Sequence, residues 1–137
     1  MILTGKAKED FELYLSQEYG NFETTTFQEC ASAPQYTIFL DEINLPKSIE
    51  NALIIEFFDS VGIIITISED SFNYVDEEET KDFWYSVFSY FIKKYSDIED
   101  GLNDYEEYYD TEEFITRQEA INKAIIKANK IYNEMKA

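Results

Sequence analysis

The stretch DIEDGLNDYEEYYDTEEF, from Asp97 to Phe114, holds nine carboxylates and four aromatic rings without a single cation. Its acids are Asp97, Glu99, Asp100, Asp104, Glu106, Glu107, Asp110, Glu112 and Glu113, the oxygen donors that hard cations prefer. The calcium register of an EF-hand fails here. With Asp97 in the first place, Gly101 falls one place early for the turn glycine, and Tyr108 stands where the closing glutamate belongs. The stretch therefore reads as a solvated acidic loop, a partner-facing surface or an irregular oxygen site, and no metal ligand is assigned.

Catalytic constellations are scarce. The chain has no histidine, which removes the commonest general base, the usual nucleophile triads and most transition-metal sites. Gly5, Gly20, Gly62 and Gly101 are its only glycines, too scattered for a phosphate-binding loop. Cys30 follows Glu29, whose charge opposes thiolate formation. Among 29 acidic residues, some carboxylate pair meets any glycosidase spacing by chance, so that pattern carries no signal. The expectation is a protein without enzymatic activity or cofactor.

Charge narrows the partners. A formal net charge of -18 repels nucleic acid and anionic membranes and attracts basic proteins or clefts. From Glu9 to Asp82 the only cations are Lys47 and Lys81. Carboxylates three or four residues apart on a helix lie roughly 5 to 6 Å from one another, a spacing that can imitate phosphates in a basic groove. A lone cysteine, no apolar signal core at the start and no long apolar run point to a reducing, cytoplasmic setting.

The elements that must position these residues suggest an α+β fold, one domain over residues 1–137 with about four amphipathic helices on a small sheet. Ala7, Phe11, Tyr14 and Leu15 form a helical stripe over Lys6 to Tyr19, with Thr4 as N-cap and Gly20 as terminator. Asn21 to Pro34 reads as a loop or weak strand, and Tyr36 to Leu40 as a strand. Pro46, the Ile49, Leu53 and Phe57 repeat and Gly62 mark a helix followed by the strand IIITIS, with a hairpin turning at Asp59 and Ser60 as the alternative. Ser71 to Asp76 suggests a further strand. The segment VDEEETKDFWYSVFSYFIKKYSD has helical spacing through Phe83, Trp84, Val87, Phe88, Phe91 and Tyr95, with acids early and Lys93 and Lys94 late. An acidic, tyrosine-rich loop follows at 97–113. The last helix has the capping-box pair Thr116 and Glu119, the stripe Ile121, Ala124, Ile125, Ala128 and Tyr132, and Lys123, Lys127 and Lys130 opposite it.

Three blocks, LTGKAKEDFELYL, LPKSIENALIIEFFDSVGIIITI and TRQEAINKAIIKANKIYN, together resemble uncharacterised small acidic proteins of tailed phages and prophages of gut Bacteroidetes. That resemblance implies a genome context and no catalytic residue. Its recurring positions include Phe57, Phe58, Asp59, Gly62, Ala128, Asn129 and Tyr132; the acidic stretch and the aromatic segment before it depart from the pattern.

The resulting expectation is a phage accessory protein that binds another protein in the infected cell. In its sharpest form it is an acidic DNA mimic acting against a host nucleic-acid-binding defence protein. The acids of 97–113 would steer the partner, while Trp84, Phe88, Tyr105, Tyr108 and Tyr109 would anchor it. The alternative is a structural or cargo component of the virion, its aromatic segment and C-terminal helix packing on copies of itself or on another phage protein.

Overall fold

The computed structural model describes residues 1–26, 46–75, 77–78, 82–96 and 104–137. In chain order these form α1 (Gly5–Thr26), α2 (Lys47–Ser60), β1 (Ile63–Val75), β2 (Asp82–Tyr95), β3 (Tyr105–Tyr109) and α3 (Arg117–Lys136). The class is α+β, with three helices among the described residues where about four were expected. The expected strand at Tyr36 to Leu40, the part beyond Thr26 of the loop or weak strand expected over Asn21 to Pro34, and Cys30 lie outside them; Asn21 to Thr26 belong to α1 instead.

Helix α1 buries Ala7, Phe11 and Leu15, as the stripe predicts, but it runs on through Gly20 to Thr26. An interior glycine costs only about 1 kcal/mol against alanine, too little to end a helix by itself. The start of α1 is closed from outside. Asn133 Oδ1 accepts the Ala7 N–H at 2.8 Å, and Asn133 Nδ2 donates to the Thr4 carbonyl at 3.0 Å. Asn129 accepts the Thr4 N–H and donates to Thr4 Oγ1, both at 3.0 Å. Thr4 thus precedes the helix as expected, while the acceptor for the third helical N–H comes from α3. Gly5 turns at φ +59, and a Cβ there would stand 3.1 Å from Asn133 Oδ1, so its backbone angle and its neighbour both call for glycine.

Helix α2 forms in place of the hairpin alternative, and Gly62 closes it at φ 81. Its buried apolar side chains are Ile54, Phe57 and Phe58; Ile49 is exposed, so the inward stripe is rotated from the expected one. Beside them Asn51 is buried and donates to Asn122 Oδ1 across the α2–α3 contact at 3.1 Å.

Beyond Gly62 the chain enters a three-stranded antiparallel sheet, ordered β1-β2-β3. IIITIS and the expected separate strand at Ser71 are one continuous β1. The larger correction is β2, a strand where helical spacing suggested a helix. Trp84, Phe88 and Phe91 fit a period near 3.6, but Phe88, Tyr90 and Ile92 equally fit a period of two. The β-prone partner Ile63–Val75 settles the choice by pairing along the full length of β2. Ile63, Ile65, Ile67, Phe88, Tyr90, Ile92 and Tyr108 face the core. Lys93 and Lys94 therefore belong to a ladder instead of a helix C-terminus.

Helix α3 starts as its capping box predicts, with the Glu119 N–H donating to Thr116 Oγ1 at 3.1 Å. Ala120, Ala124, Ile125, Ala128, Ile131 and Tyr132 are buried. Helices α2 and α3 lie on the core face of the sheet, and α1 packs on both helices. Rings knit the three helices together: Phe57 lies 5.7 Å from Phe11 and 5.6 Å from Tyr132. The Tyr132 hydroxyl donates to Asp10 Oδ2 at 2.8 Å.

Removing the outside cap should be costly. Asn133→Ala is expected to lower stability by about 1 to 2 kcal/mol, the range for a lost helix cap, and Gly5→Ala by a similar amount from left-handed strain. Urea unfolding at neutral pH measures both.

A second expectation concerns alkaline pH. Burial, then the bond to Asp110, pushes the Tyr90 hydroxyl up to about 12; burial, then the bond to Asp10, raises Tyr132 from its ordinary 10.0. Both keep their protons to higher pH folded than unfolded, so their contribution is complete below about pH 10 and is lost as pH rises toward 12. Urea midpoints at about pH 9 and about pH 11 should differ less in Tyr90→Phe and Tyr132→Phe than in the parent chain.

Candidate functional site

The candidate surface is the sheet face turned away from the helices. Even-numbered β1 residues and odd-numbered β2 and β3 residues point there, since side chains alternate along a strand. No described element packs over it. Phe72, Tyr74, Tyr85, Tyr105 and Tyr109 are exposed on this face, with Phe91 and Tyr95 half-buried among them. Phe72 and Tyr85, opposite one another in the register, stack at 5.4 Å with 24° between ring planes.

Part of the acidic stretch is strand, contrary to the loop expected over 97–113. Asp97, Glu99 and Asp100 lie outside the described residues. Tyr105–Tyr109 pairs with the end of β2, setting Glu107 opposite Lys93 and Glu106 opposite Lys94. Two mutual hydrogen bonds join Phe88 and Phe114. The regular register would oppose Phe88 to residue 112, so two extra residues bulge out between β3 and Phe114. Within the bulge Asp110 is half-buried and accepts from the Tyr90 hydroxyl at 3.1 Å and from the Glu112 N–H at 3.0 Å.

This strand divides its carboxylates. Glu106 and Glu107 point to opposite sides, and each accepts a tyrosine hydroxyl two residues on, from Tyr108 and Tyr109 respectively. Those bonds, ahead of burial, raise both hydroxyls above their ordinary value. The remaining acids of the stretch, Asp104, Glu112 and Glu113, are exposed. The described part is therefore a ring-bearing strand edged with acids, and not a helical row of carboxylates.

Of the expected anchors, Trp84 is 72% exposed and Tyr109 66%, with Tyr105 also open. Phe88 and Tyr108 are different: both pack against the buried core, because they fall on the inward parity of their strands. Both are half-buried and so offer a partner less ring surface than Trp84 or Tyr109.

Sequence reasoning missed Phe72, Tyr74 and Tyr85. The signal was the period of two in SFNYV and in FWYSV, hidden by the competing helical period. Together with Trp84 and Val75 they make the distal half of the β1–β2 hairpin a ring-rich surface. From Glu69 to Phe88 the sequence sets seven carboxylates against Lys81 alone.

Cations of the chain itself show how this sheet receives positive charge. Lys93 Nζ lies 4.8 Å from the Tyr105 ring centroid and 5.9 Å from that of Phe91. Arg117 sits 5.3 Å from the Phe88 ring centroid while its guanidinium reaches Glu69 Oε2 at 3.3 Å. Lys127, expected opposite the buried stripe, is half-buried with Nζ 5.6 Å from the Tyr108 centroid. Each arrangement places a cation over a ring face, and Arg117 adds a carboxylate.

Among the described residues, no group of three acidic, cysteine or histidine side chains is arranged to hold a metal ion, and no helix is long and apolar enough to cross a membrane. In comparisons with known proteins, no family model, no curated protein and no solved structure matches the chain.

Proposed function

We propose that this chain is a non-enzymatic accessory protein that acts by binding a basic protein partner through its acidic, ring-bearing sheet. The carrying observation is the exposure of Trp84, Tyr85 and Tyr109 on strands edged with carboxylates. Tyrosine and tryptophan dominate binding hot spots, and a net charge of -18 speeds encounter with a basic surface.

The resemblance to phage and prophage proteins gives the reading its setting, the cytoplasm of an infected bacterium. In its most specific form the partner is a host nucleic-acid-binding defence protein whose basic groove the chain occupies. The alternating carboxylates of β3 make this a mimicry of charge density more than of phosphate geometry. A structural or cargo role in the virion is the second reading, favoured by the length of exposed hairpin available for interlocking with neighbouring subunits.

Affinity capture from host lysate at low salt and at about 0.5 M, where charge is screened over only a few ångströms, tests the proposal. A basic nucleic-acid-binding protein held at low salt and released by salt or competing DNA is the expected result. Replacing Asp104, Glu106, Glu107, Glu112 and Glu113 by their amides should weaken that capture about tenfold or more. Retention of phage structural proteins alone, or indifference to the amide substitutions, would overturn it.

A further inference from the structure

We infer that the edge of β1 from Glu69 to Val75, which no other described strand pairs, is a docking strand for an extended, arginine- or lysine-rich segment of the partner, which adds there as a further strand. The inference rests on the protein-binding reading above and assigns it a surface and a ligand chemistry.

The backbone supplies the first argument. Among the described residues strand β1 lies at the sheet edge, and the Gly62 carbonyl accepts from the Tyr95 N–H at 2.9 Å. That fixes Gly62 and Tyr95 as a hydrogen-bonded pair, and the register runs without a bulge to Val75. Alternation along an antiparallel ladder then turns the N–H and C=O of Glu69, Ser71 and Asn73 away from β2. Such a row is the template used in β-augmentation.

The side chains supply the second. A strand added here alternates its residues between two faces. On one it meets Asp70 and the stacked Phe72 and Tyr85 rings; on the other, Glu69, Asn73 and Trp84. Arg117 already occupies the root of that second face, over Phe88 and against Glu69, which shows the combination of ring and carboxylate that an incoming cation would find. Seven carboxylates against one lysine between Glu69 and Phe88 favour a basic segment. They also oppose a second copy of this chain, which would bring the same charge to the same edge.

Trp84 is the only tryptophan, and it stands opposite Asn73 in the register, so its fluorescence reports on the edge directly. The probe is a synthetic peptide alternating arginine and valine, with one alternating glutamate and valine as control. The basic peptide should shift Trp84 emission to shorter wavelength in a salt-sensitive way and slow hydrogen exchange at the Glu69, Ser71 and Asn73 amides; the acidic peptide should do neither. Ser71→Pro removes one outward donor without touching the bonds to β2, and should weaken binding about tenfold relative to Ser71→Ala, with circular dichroism and thermal midpoint unchanged.

Equal binding by Ser71→Pro and Ser71→Ala, equal binding of both peptides, or peptide binding without protection of those three amides would overturn the inference. So would a dimer abolished by Ser71→Pro, which would give the edge to a second copy. If lysate capture succeeds but is indifferent to Ser71→Pro, the functional reading stands and the edge assignment falls. If the basic peptide protects the edge while lysate capture yields no basic protein, the docking strand is supported and the functional reading falls.

Discussion

The fold depends on one long-range contact: the start of α1 is capped by the end of α3. A helix N-terminus leaves N–H groups that must find acceptors, and local capping by Thr4 would have left α1 free to sit anywhere. Because Asn129 and Asn133 do the work instead, α1 can end correctly only when the last helix is in place. One turn deeper, Tyr132 meets Asp10 and the rings of Phe57 and Phe58. Residues from the start, centre and end of the chain thus converge on one spot. The LTGKAKEDFE, FFDSVG and ANKIYN segments have residue types that this convergence requires.

A chain this acidic cannot lean on ion pairs. The ion pairs among described residues are largely exposed or at the edge of contact distance, such as Lys6 with Glu9 at 3.4 Å and Lys130 with Glu134 at 3.9 Å, a class worth little individually. Lys6 with Asp10 at 3.0 Å is tighter. Burial pushes Asp10 up, yet the bonds from Lys6 and Tyr132 outweigh it and hold the carboxyl below its usual range. The net repulsion must be offset by apolar burial, which the seamed core of Ala7, Phe11, Ile54, Phe58, Ile63, Ile92 and Ile125 provides.

The helices were legible because each carried several agreeing signals. α3 had a capping box, a buried stripe and small residues for close approach, and all three describe it. α2 had its closing glycine, although its inward face turned from Ile49 toward Ile54 and Phe58. The sheet was harder to read. In β2 aromatic residues occupy half of the positions, on both faces, so the segment satisfies both periods at once, and only the partner strand decides between them. The acidic stretch hid β3 for a related reason: Glu106 and Glu107 suggest solvent, whereas Tyr108 between its neighbours carries the inward contact. Trp84 was recognisable as an anchor candidate from its type, but its exposure follows from its position beyond the helices, which no local pattern records.

That position is the feature least explained by folding. The core face of β1 is buried at Ile63, half-buried as far as Ile67 and exposed from Glu69 onward, so among the described residues the distal half of the hairpin is a two-stranded ribbon without a helix behind it. Such ribbons are marginal in water. This one is held by cross-strand pairs such as Phe72 with Tyr85 and the facing hydroxyls of Ser71 and Ser86, 3.3 Å apart, each worth about 0.2 to 1 kcal/mol. Those contacts account for rings on one face only. Trp84 lies on the other, opposite Asn73, where its ring adds nothing to the core and leaves an apolar surface in water. Packing in the folded chain makes little use of this ring, and the proposed docking of a partner at the sheet edge would give it one.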